Sequence, residues 1–471
     1  MIRKRNAGGA KYPLCLAILL LLCAGLQAQE AEKAPVKVTL DEAVNLAIKN
    51  NLSLESSRTS LSTKKRASDY SWNQFIPSVD VGGALLHLNE VPQGMTLPLP
   101  PALGGPISLG GGGSPWKVAG SITVSLNLNM AMIEEMKRLS LDYEKGLISF
   151  DKAKLQLERD VRKMYHNMLL LQENIALLQG SYANVDRQVQ MAQANYNAGL
   201  APELTLLQAR VARENMRPVI DQAENGMKLS MAQFAMYLGM NYETAFKLAP
   251  LDENDIFIPL DVAEIISKAS NGKPEILELK QDILSLKTVK KSTMYRLYSP
   301  TLSLSWNADP TFSGDPWKDA WFDDMNKWKQ QSGSFRISLG FRLNGLIPFG
   351  SERQGLKTID DQMKIANIGL AQLINGTEIE VYNTVLALEK TRKNTKAQEE
   401  TVSLAEQSFR LTEEAYRAGL QDYFQVQNAE QSLRQARVQL LEQQFNYLNG
   451  LIDLEYSLGV PFGTLSERSK E

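Results

Sequence analysis

The stretch Ser121-Ile-Thr-Val-Ser-Leu-Asn-Leu-Asn-Met130 alternates polar and apolar side chains without a break. Period two belongs to an extended strand, whose successive side chains point to opposite faces. One face carries Ile122, Val124, Leu126, Leu128 and Met130, the other Ser121, Thr123, Ser125, Asn127 and Asn129. About ten residues is also the length of a tilted strand crossing a bilayer core. Phe335 to Asn344 repeats the pattern, with Phe335, Ile337, Leu339, Phe341 and Leu343 against Arg336, Ser338, Gly340, Arg342 and Asn344. Each strand has an upstream partner: Val79 and Val81 alternate after Pro77, and Leu302, Leu304, Trp306 and Ala308 after Pro300. Taken alone, such strands fit either a half-buried soluble sheet or a membrane barrel, because the barrel signal per strand is weak.

The chain has 471 residues, and 44% hydrophobic with 22% charged residues marks it as folded rather than disordered. Beyond the N-terminus no apolar run reaches the ~18 residues a membrane helix needs. At the N-terminus, Arg3, Lys4, Arg5 and Lys11 precede an apolar run from Leu14 to Leu22, then Leu26-Gln27-Ala28. This reads as a secretory signal over residues 1–28, cleaved after Ala28. An uncleaved anchor is one alternative. Lipidation of Cys23 is another, against which stands Leu22 where such sites favour a small side chain. Both cysteines, Cys15 and Cys23, lie in this segment, so the mature chain offers no disulfide or thiolate metal site. With 51 Lys+Arg against 53 Asp+Glu overall, loss of four basic residues leaves about -6, which argues against nucleic acid as a partner.

A single offset of 220 residues links three separated places. Leu40-Asp-Glu-Ala43 corresponds to Leu260-Asp-Val-Ala263, Tyr196-Asn-Ala-Gly-Leu200 to Tyr416-Arg-Ala-Gly-Leu420, and Leu238-Gly239 to Leu458-Gly459. The chain is therefore a tandem duplication, with residues 29–250 as one repeat and 251–471 as the other. Each repeat predicts a helix, a strand, a long loop, a strand, a very long helix, a tight turn and a returning helix. The strands are expected at about 78–89, 117–130, 300–308 and 334–344. Ala131 to Asn197 and Ser351 to Arg417 contain no proline and predict helices of roughly 100 Å at 1.5 Å per residue. Gly199 and Gly419 sit where a left-handed residue ends such a helix. Asp422 suits an N-cap.

The returning helices carry coiled-coil spacing. In the second repeat the line is Val426, Leu433, Leu440, Tyr447 and Leu454, with Ala429, Ala436 and Gly450 beside it. In the first it is Leu206, Arg213, Ile220, Met227 and Phe234, with Arg213 out of character and Pro218 predicting a kink. Glu90 to Pro115 and Asp309 to Gly333 are too long for hairpin turns and read as outward-facing loops. The second holds Trp317, Trp321 and Trp328. Packing over a barrel mouth is expected of them rather than a ligand surface. Catalysis has little to work with: His87 and His166 are the only histidines, and neither lies in a nucleophile or metal-ligand motif. Gly110 to Gly113 is not followed by Gly-Lys-Ser/Thr, so no phosphate loop is expected.

Four strands cannot close a barrel, and an open edge in lipid would strand backbone hydrogen-bonding groups. If the strands are in a membrane, several chains must share one barrel. Two copies give eight strands and a filled interior; three give twelve and room for a water-filled lumen.

With these features assembled, the chain resembles the TolC-like outer membrane efflux protein family over nearly everything after the leader. The likeness rests on Leu40-Asp-Glu-Ala43, the duplication, the strand pairs, Ile347-Pro-Phe-Gly350 entering the second long helix, and the Tyr-x-Ala-Gly-Leu turns. It implies a mainly α chain with a membrane β-barrel portion. On that resemblance, long coiled helices are expected to form a periplasmic α-barrel, and four strands per chain to enter a shared 12-stranded barrel in a homotrimer. It also implies a passive outer-membrane exit duct of a tripartite efflux or secretion system, with a periplasmic adaptor and an inner-membrane pump as partners. No enzymatic activity, cofactor or metal is expected. The turns at Gly199-Leu200 and Gly419-Leu420 match the tips on which adaptors dock. Acidic residues of well-known members fall at positions matching Gln425 and Asn428, and an arginine at Gln421. An entrance narrowed by neutral Gln421, Gln425 and Asn428, with Tyr416 nearby, is expected here. The competing expectation is a secreted or periplasmic coiled-coil scaffold with a small soluble sheet.

Overall fold

The computed structural model describes residues 36–89, 95–101, 105–109, 114–244, 246–250, 272–315, 318 and 333–467. The leader with Cys15 and Cys23, the helix expected at Leu260, the glycines 110–113 and the three loop tryptophans lie outside these residues. Two compact units divide the chain, and the long helix Ala131–Asn197 contributes to both.

The smaller unit contains strand β1 (Val36–Val38), most of helix α1 (Leu40–Asn50), the later part of α3 (Ala131–Asn197), helix α4 (Glu203–Tyr237) and strand β6 (Phe246–Leu248). Helix α1 opens with a reciprocal capping box: the Thr39 amide donates to Glu42 Oε2 at 2.9 Å, and the Glu42 amide to Thr39 Oγ1 at 3.3 Å. These bonds hold the Glu42 carboxyl below its usual range. Strands β1 and β6 pair in parallel, Val38 opposite Leu248. Phe246 packs on the fully buried Phe234 of α4, ring centroids 5.8 Å apart. Helix α4 runs as one element through Pro218. Arg213, the charge in its apolar line, is met by Asp186 of α3 at 3.1 Å and by Glu214 at 2.7 Å. Leu206 and Phe234 of the same line are buried.

The larger unit begins with helix α2 (Leu52–Asp69). Helices α1 and α2 are separate because Asn51 intervenes: its Oδ1 accepts from the amides of Ser53 and Leu54, a cap that starts a new helix. Strands β2 (Ser78–His87), β5 (Trp116–Asn129), β7 (Thr301–Ala308) and β9 (Gly333–Gly340) form an antiparallel sheet in that order. The segment read as a plain loop after β2 contains a ribbon of β3 (Met95–Leu97) and β4 (Ile107–Leu109). Strand β8 (Thr311–Ser313) pairs with the upper part of β5. Alternation continues past Gly340 to Asn344, but the strand does not: Thr301, opposite Gly340, is the last residue of β7 available to pair.

Helices α5 (Pro274–Tyr298), α6 (Ser351–Arg417) and α7 (Tyr423–Leu458) complete the unit with the short α8 (Thr464–Glu467). Val381, Val385 and Leu388 of α6 form one core cluster with Tyr447, Leu451, Leu454 and Leu458 of α7. Gly450 makes the approach close, since a Cβ there would stand 2.8 Å from Leu388 Cδ2. A polar belt joins the first part of α3 to α5: Lys145 to Asp282 at 2.6 Å, Lys152 to Glu278 at 2.9 Å, and Gln281 donating to Glu144 at 2.8 Å. Such part-exposed pairs fix register more than they add stability. No helix among the described residues is long and apolar enough to cross a membrane.

Candidate functional site

Register turns the alternation of single strands into two continuous surfaces. On one face the cross-strand rows are Val79-Val124-Trp306-Phe335, Leu126-Leu304-Ile337 and Leu128-Leu302-Leu339. On the other they are Asp80-Thr123-Asn307-Ser334, Ser78-Ser125-Ser305-Arg336 and Asn127-Ser303-Ser338. Ser78 and Ser125 hydroxyls meet at 2.8 Å, and Ser334 donates to Asn307 at 2.5 Å, so the polar face is knit sideways.

The apolar face is the anomalous one. Phe335, Ile337 and Leu339 are 67%, 62% and 61% exposed, and Val81 is 77% exposed. A soluble half-buried sheet would hide this face and show the polar one. Central-strand members Val124, Leu126 and Leu128 are half-buried by their neighbours, whereas Ile122 remains exposed. Phe341, expected in the same face, lies beyond the end of β9 and is exposed. Among the described residues β2 and β9 end the sheet, each with one unpaired edge. A patch this apolar and contiguous marks a surface that meets something other than water.

The two helix turns are built alike. Gly199 (φ 69°) and Gly419 (φ 74°) adopt the left-handed conformation. The Leu200 amide donates to the Asn195 carbonyl and the Leu420 amide to that of Ala415, both at 2.8 Å. The Gly199 and Gly419 amides donate to Tyr196 and Tyr416, completing Schellman caps. Gly239 and Gly459 end α4 and α7 in the same way, so the 220-residue offset holds in backbone geometry as well as in letters. Leu200 and Leu420 are 78% and 79% exposed, and no heavy atom lies within 4 Å of where a Cβ on either turn glycine would stand.

The turns differ behind their tips. Tyr196 is 41% exposed, but Tyr416 only 7%, because Tyr423 covers it edge-on with ring centroids 6.3 Å apart. The first repeat has Glu203 where the second has Tyr423. Burial, with a smaller contribution from Tyr416, pushes the Tyr423 phenol up to about 12. Asp422 caps α7 by accepting from the Gln425 amide at 3.0 Å. Gln421, Gln425 and Asn428 are exposed at helical spacing on one side of this segment, while Tyr416 lies behind it. The sequence places Tyr416 beside these three but does not show its burial, for which the seven-residue spacing of Tyr416 and Tyr423 across the turn is the one signal.

His166 is buried in the larger unit at hydrogen-bond distance, 3.2 Å, from Asn449. His87 packs against Trp116 with the rings tilted by 57° and their centroids 4.3 Å apart. Among the described residues no group of three potential metal ligands is found.

Residues 43–240 match the family described as Outer membrane efflux protein. The fold is similar to that of the CusC transmembrane channel, at 14% identity and a TM-score of 0.69 over 90% of this chain and 92% of that one. It is similar also to the outer-membrane channel OprN, at 16% identity and a TM-score of 0.68 over 90% of each chain. The CmeC outer membrane channel of Campylobacter jejuni gives 15% identity and a TM-score of 0.68 over 92% of this chain and 88% of that one. No curated protein matches the sequence. The likeness read from the sequence, a duplicated chain of long helices and four strands in the manner of TolC-like channels, is borne out at the level of fold.

Proposed function

We infer, taking this chain to be a TolC-like outer membrane efflux protein, that it forms one third of a passive exit duct through the outer membrane. The observation that carries the reading is the exposed apolar face of the sheet: its apolar rows stand in register and uncovered, its polar rows lie on the opposite face, and both edges stand open. Three copies joined β9 to β2 make a closed barrel of twelve strands. Closure removes the edges, lipid covers the apolar rows, and the Ser, Thr and Asn rows line the water-filled lumen. The helical part then lies in the periplasm.

Within this reading the exposed turns at Gly199-Leu200 and Gly419-Leu420 contact a periplasmic adaptor that joins the duct to an inner-membrane pump. Gln421, Gln425 and Asn428 narrow the periplasmic entrance by neutral hydrogen bonding, and Tyr416 braces them from behind. Opening requires adaptor contacts that differ between closed and open states.

The test is extraction followed by planar-bilayer recording. The protein should stay with membranes until detergent is added, and the purified particle should conduct in discrete steps. Release without detergent together with an absence of conductance would refute the duct. For the tips, Gly419→Pro or Leu420→Trp should reduce adaptor co-purification while trimers persist. Undiminished co-purification would remove the docking assignment.

A further inference from the structure

Where the strands give way to helices, a cavity of about 220 Å³ opens, lined by Gln74, Asn129, Glu135, Arg296, Thr301 and Arg342 among others. One end of each strand of the four-stranded sheet lies at or near it. Gln74 precedes β2, Asn129 ends β5, Thr301 begins β7, and Arg342 follows β9; Arg296 comes from the last turn of α5. Asn129 and Thr301 are polar-face residues, so the cavity continues that face downward.

Its polar groups divide into those that are occupied and those that are not. The Asn129 amide nitrogen donates to Thr301 Oγ1 at 3.1 Å and its Oδ1 accepts from the Ala131 amide at 2.8 Å. Gln74 donates to the Met132 carbonyl at 3.0 Å. Glu135 is held bidentate by Arg138, at 2.6 and 3.0 Å, and that bond keeps its carboxyl below the usual range, with the charges of Arg138 and Arg296 adding to it. The two arginines of the lining are different. Both are exposed, and among the described residues neither has a carboxylate within ion-pair distance. A guanidinium is always charged and offers a planar fork of donors suited to tetrahedral oxyanions. Two of them share one concave site whose only acid among the described residues, Glu135, is already engaged.

The geometry points to an anion site at the foot of the sheet, in which Arg296 and Arg342 hold a phosphate group. All the residues come from one chain, so the site goes beyond the duct reading and does not depend on trimer closure. On the duct reading, which turns this face to the lumen, the phosphate is that of a soluble molecule; a lipid headgroup reaches the site only where the foot of the sheet opens to the membrane surface, and the chemistry recognised is the same.

Titration calorimetry of the detergent-purified full chain separates these cases. The probes are inorganic phosphate, dihexanoyl phosphatidylglycerol below its micelle concentration, and dihexanoyl glycerol, which lacks phosphate. Arg296→Gln and Arg342→Gln should each weaken binding about tenfold, as loss of one charge-assisted pair does. Glu135→Gln should tighten it, by removing the one acid and releasing Arg138. Lys357→Gln, an exposed charge on α6, should change nothing. Because both arginines are exposed, their replacement leaves no buried hole, and an unchanged elution volume verifies the fold. Saturable binding of inorganic phosphate identifies a soluble-anion site; binding of the phospholipid alone identifies a headgroup site, and either supports the proposal. Binding that survives the double arginine variant, or that neither phosphate probe shows in the parent, overturns it. So does a Glu135→Gln variant that binds less tightly.

Discussion

Replacing Ile337 with arginine should cripple assembly, whereas the same replacement one residue on, Ser338→Arg, should be nearly silent. Ile337 closes the row Leu126-Leu304-Ile337, which has an apolar row on either side, and it is 62% exposed. If that exposure is to lipid, an arginine near the bilayer midplane costs about 2–4 kcal/mol. At about 1.4 kcal/mol per tenfold, this is roughly a 30- to 700-fold loss in the folding equilibrium for each chain. Three copies in one barrel make it roughly 6–12 kcal/mol per assembly. Ser338 lies in the Asn127-Ser303-Ser338 row, two residues from Arg336 on the same face. A second arginine there meets water and should stay within about 0.5 kcal/mol of the parent. Urea titration of both variants in phosphatidylcholine vesicles, followed by the fraction of SDS-resistant trimer, reads the difference. Equal losses, or a larger loss for Ser338→Arg, would show that the apolar face does not meet lipid.

Gly459→Ala should destabilise far more than Gly419→Ala: both need positive φ, at about 1–2 kcal/mol for a side chain, but a Cβ on Gly459 would also fall 2.3 Å from the Gly272 carbonyl oxygen. Thermal unfolding of the two variants gives the order. Asp422→Ala removes the cap on the Gln425 amide and should cost about 1 kcal/mol, seen as faster amide exchange over the first turn of α7, with Asp422→Asn close to the parent. Burial, reinforced by the charge of Arg162 and opposed by the Asn449 bond, lowers His166 to about 4. The unfolded imidazole titrates near 6.5, so below that pH the unfolded chain binds the proton more readily. The stabilisation held above pH ~6.5 is therefore lost as pH falls toward 4, by up to about 3 kcal/mol. Urea midpoints measured from pH 7 to 4 should drop less steeply in His166→Gln than in the parent.

The faces of the sheet were legible because period two is a property of each strand alone, and the register found here merely aligns what Ser121–Met130 and Phe335–Gly340 already display. The end of β9 was not, since Phe341 to Asn344 alternate equally well and only the start of β7 at Thr301 decides where pairing stops. Helix ends were legible wherever a left-handed glycine marks them. The break at Asn51 was missed because Leu40 to Asp69 reads as one amphipathic run unless the asparagine is weighed as a cap. Burial of Tyr416 depends on a ring seven residues later, across a turn, and Arg213 on an aspartate 27 residues earlier on another helix; such pairings are properties of packing. The cavity beneath the sheet draws on segments as far apart as Gln74 and Arg342, which no local pattern connects.

The central claim is that the strands of separate chains pool into one closed barrel, and the mass of the detergent-purified particle by native mass spectrometry tests it most directly. Three chains per particle, held together after lipid is stripped, is the predicted result. A single chain that stays in solution when the detergent is withdrawn would contradict it.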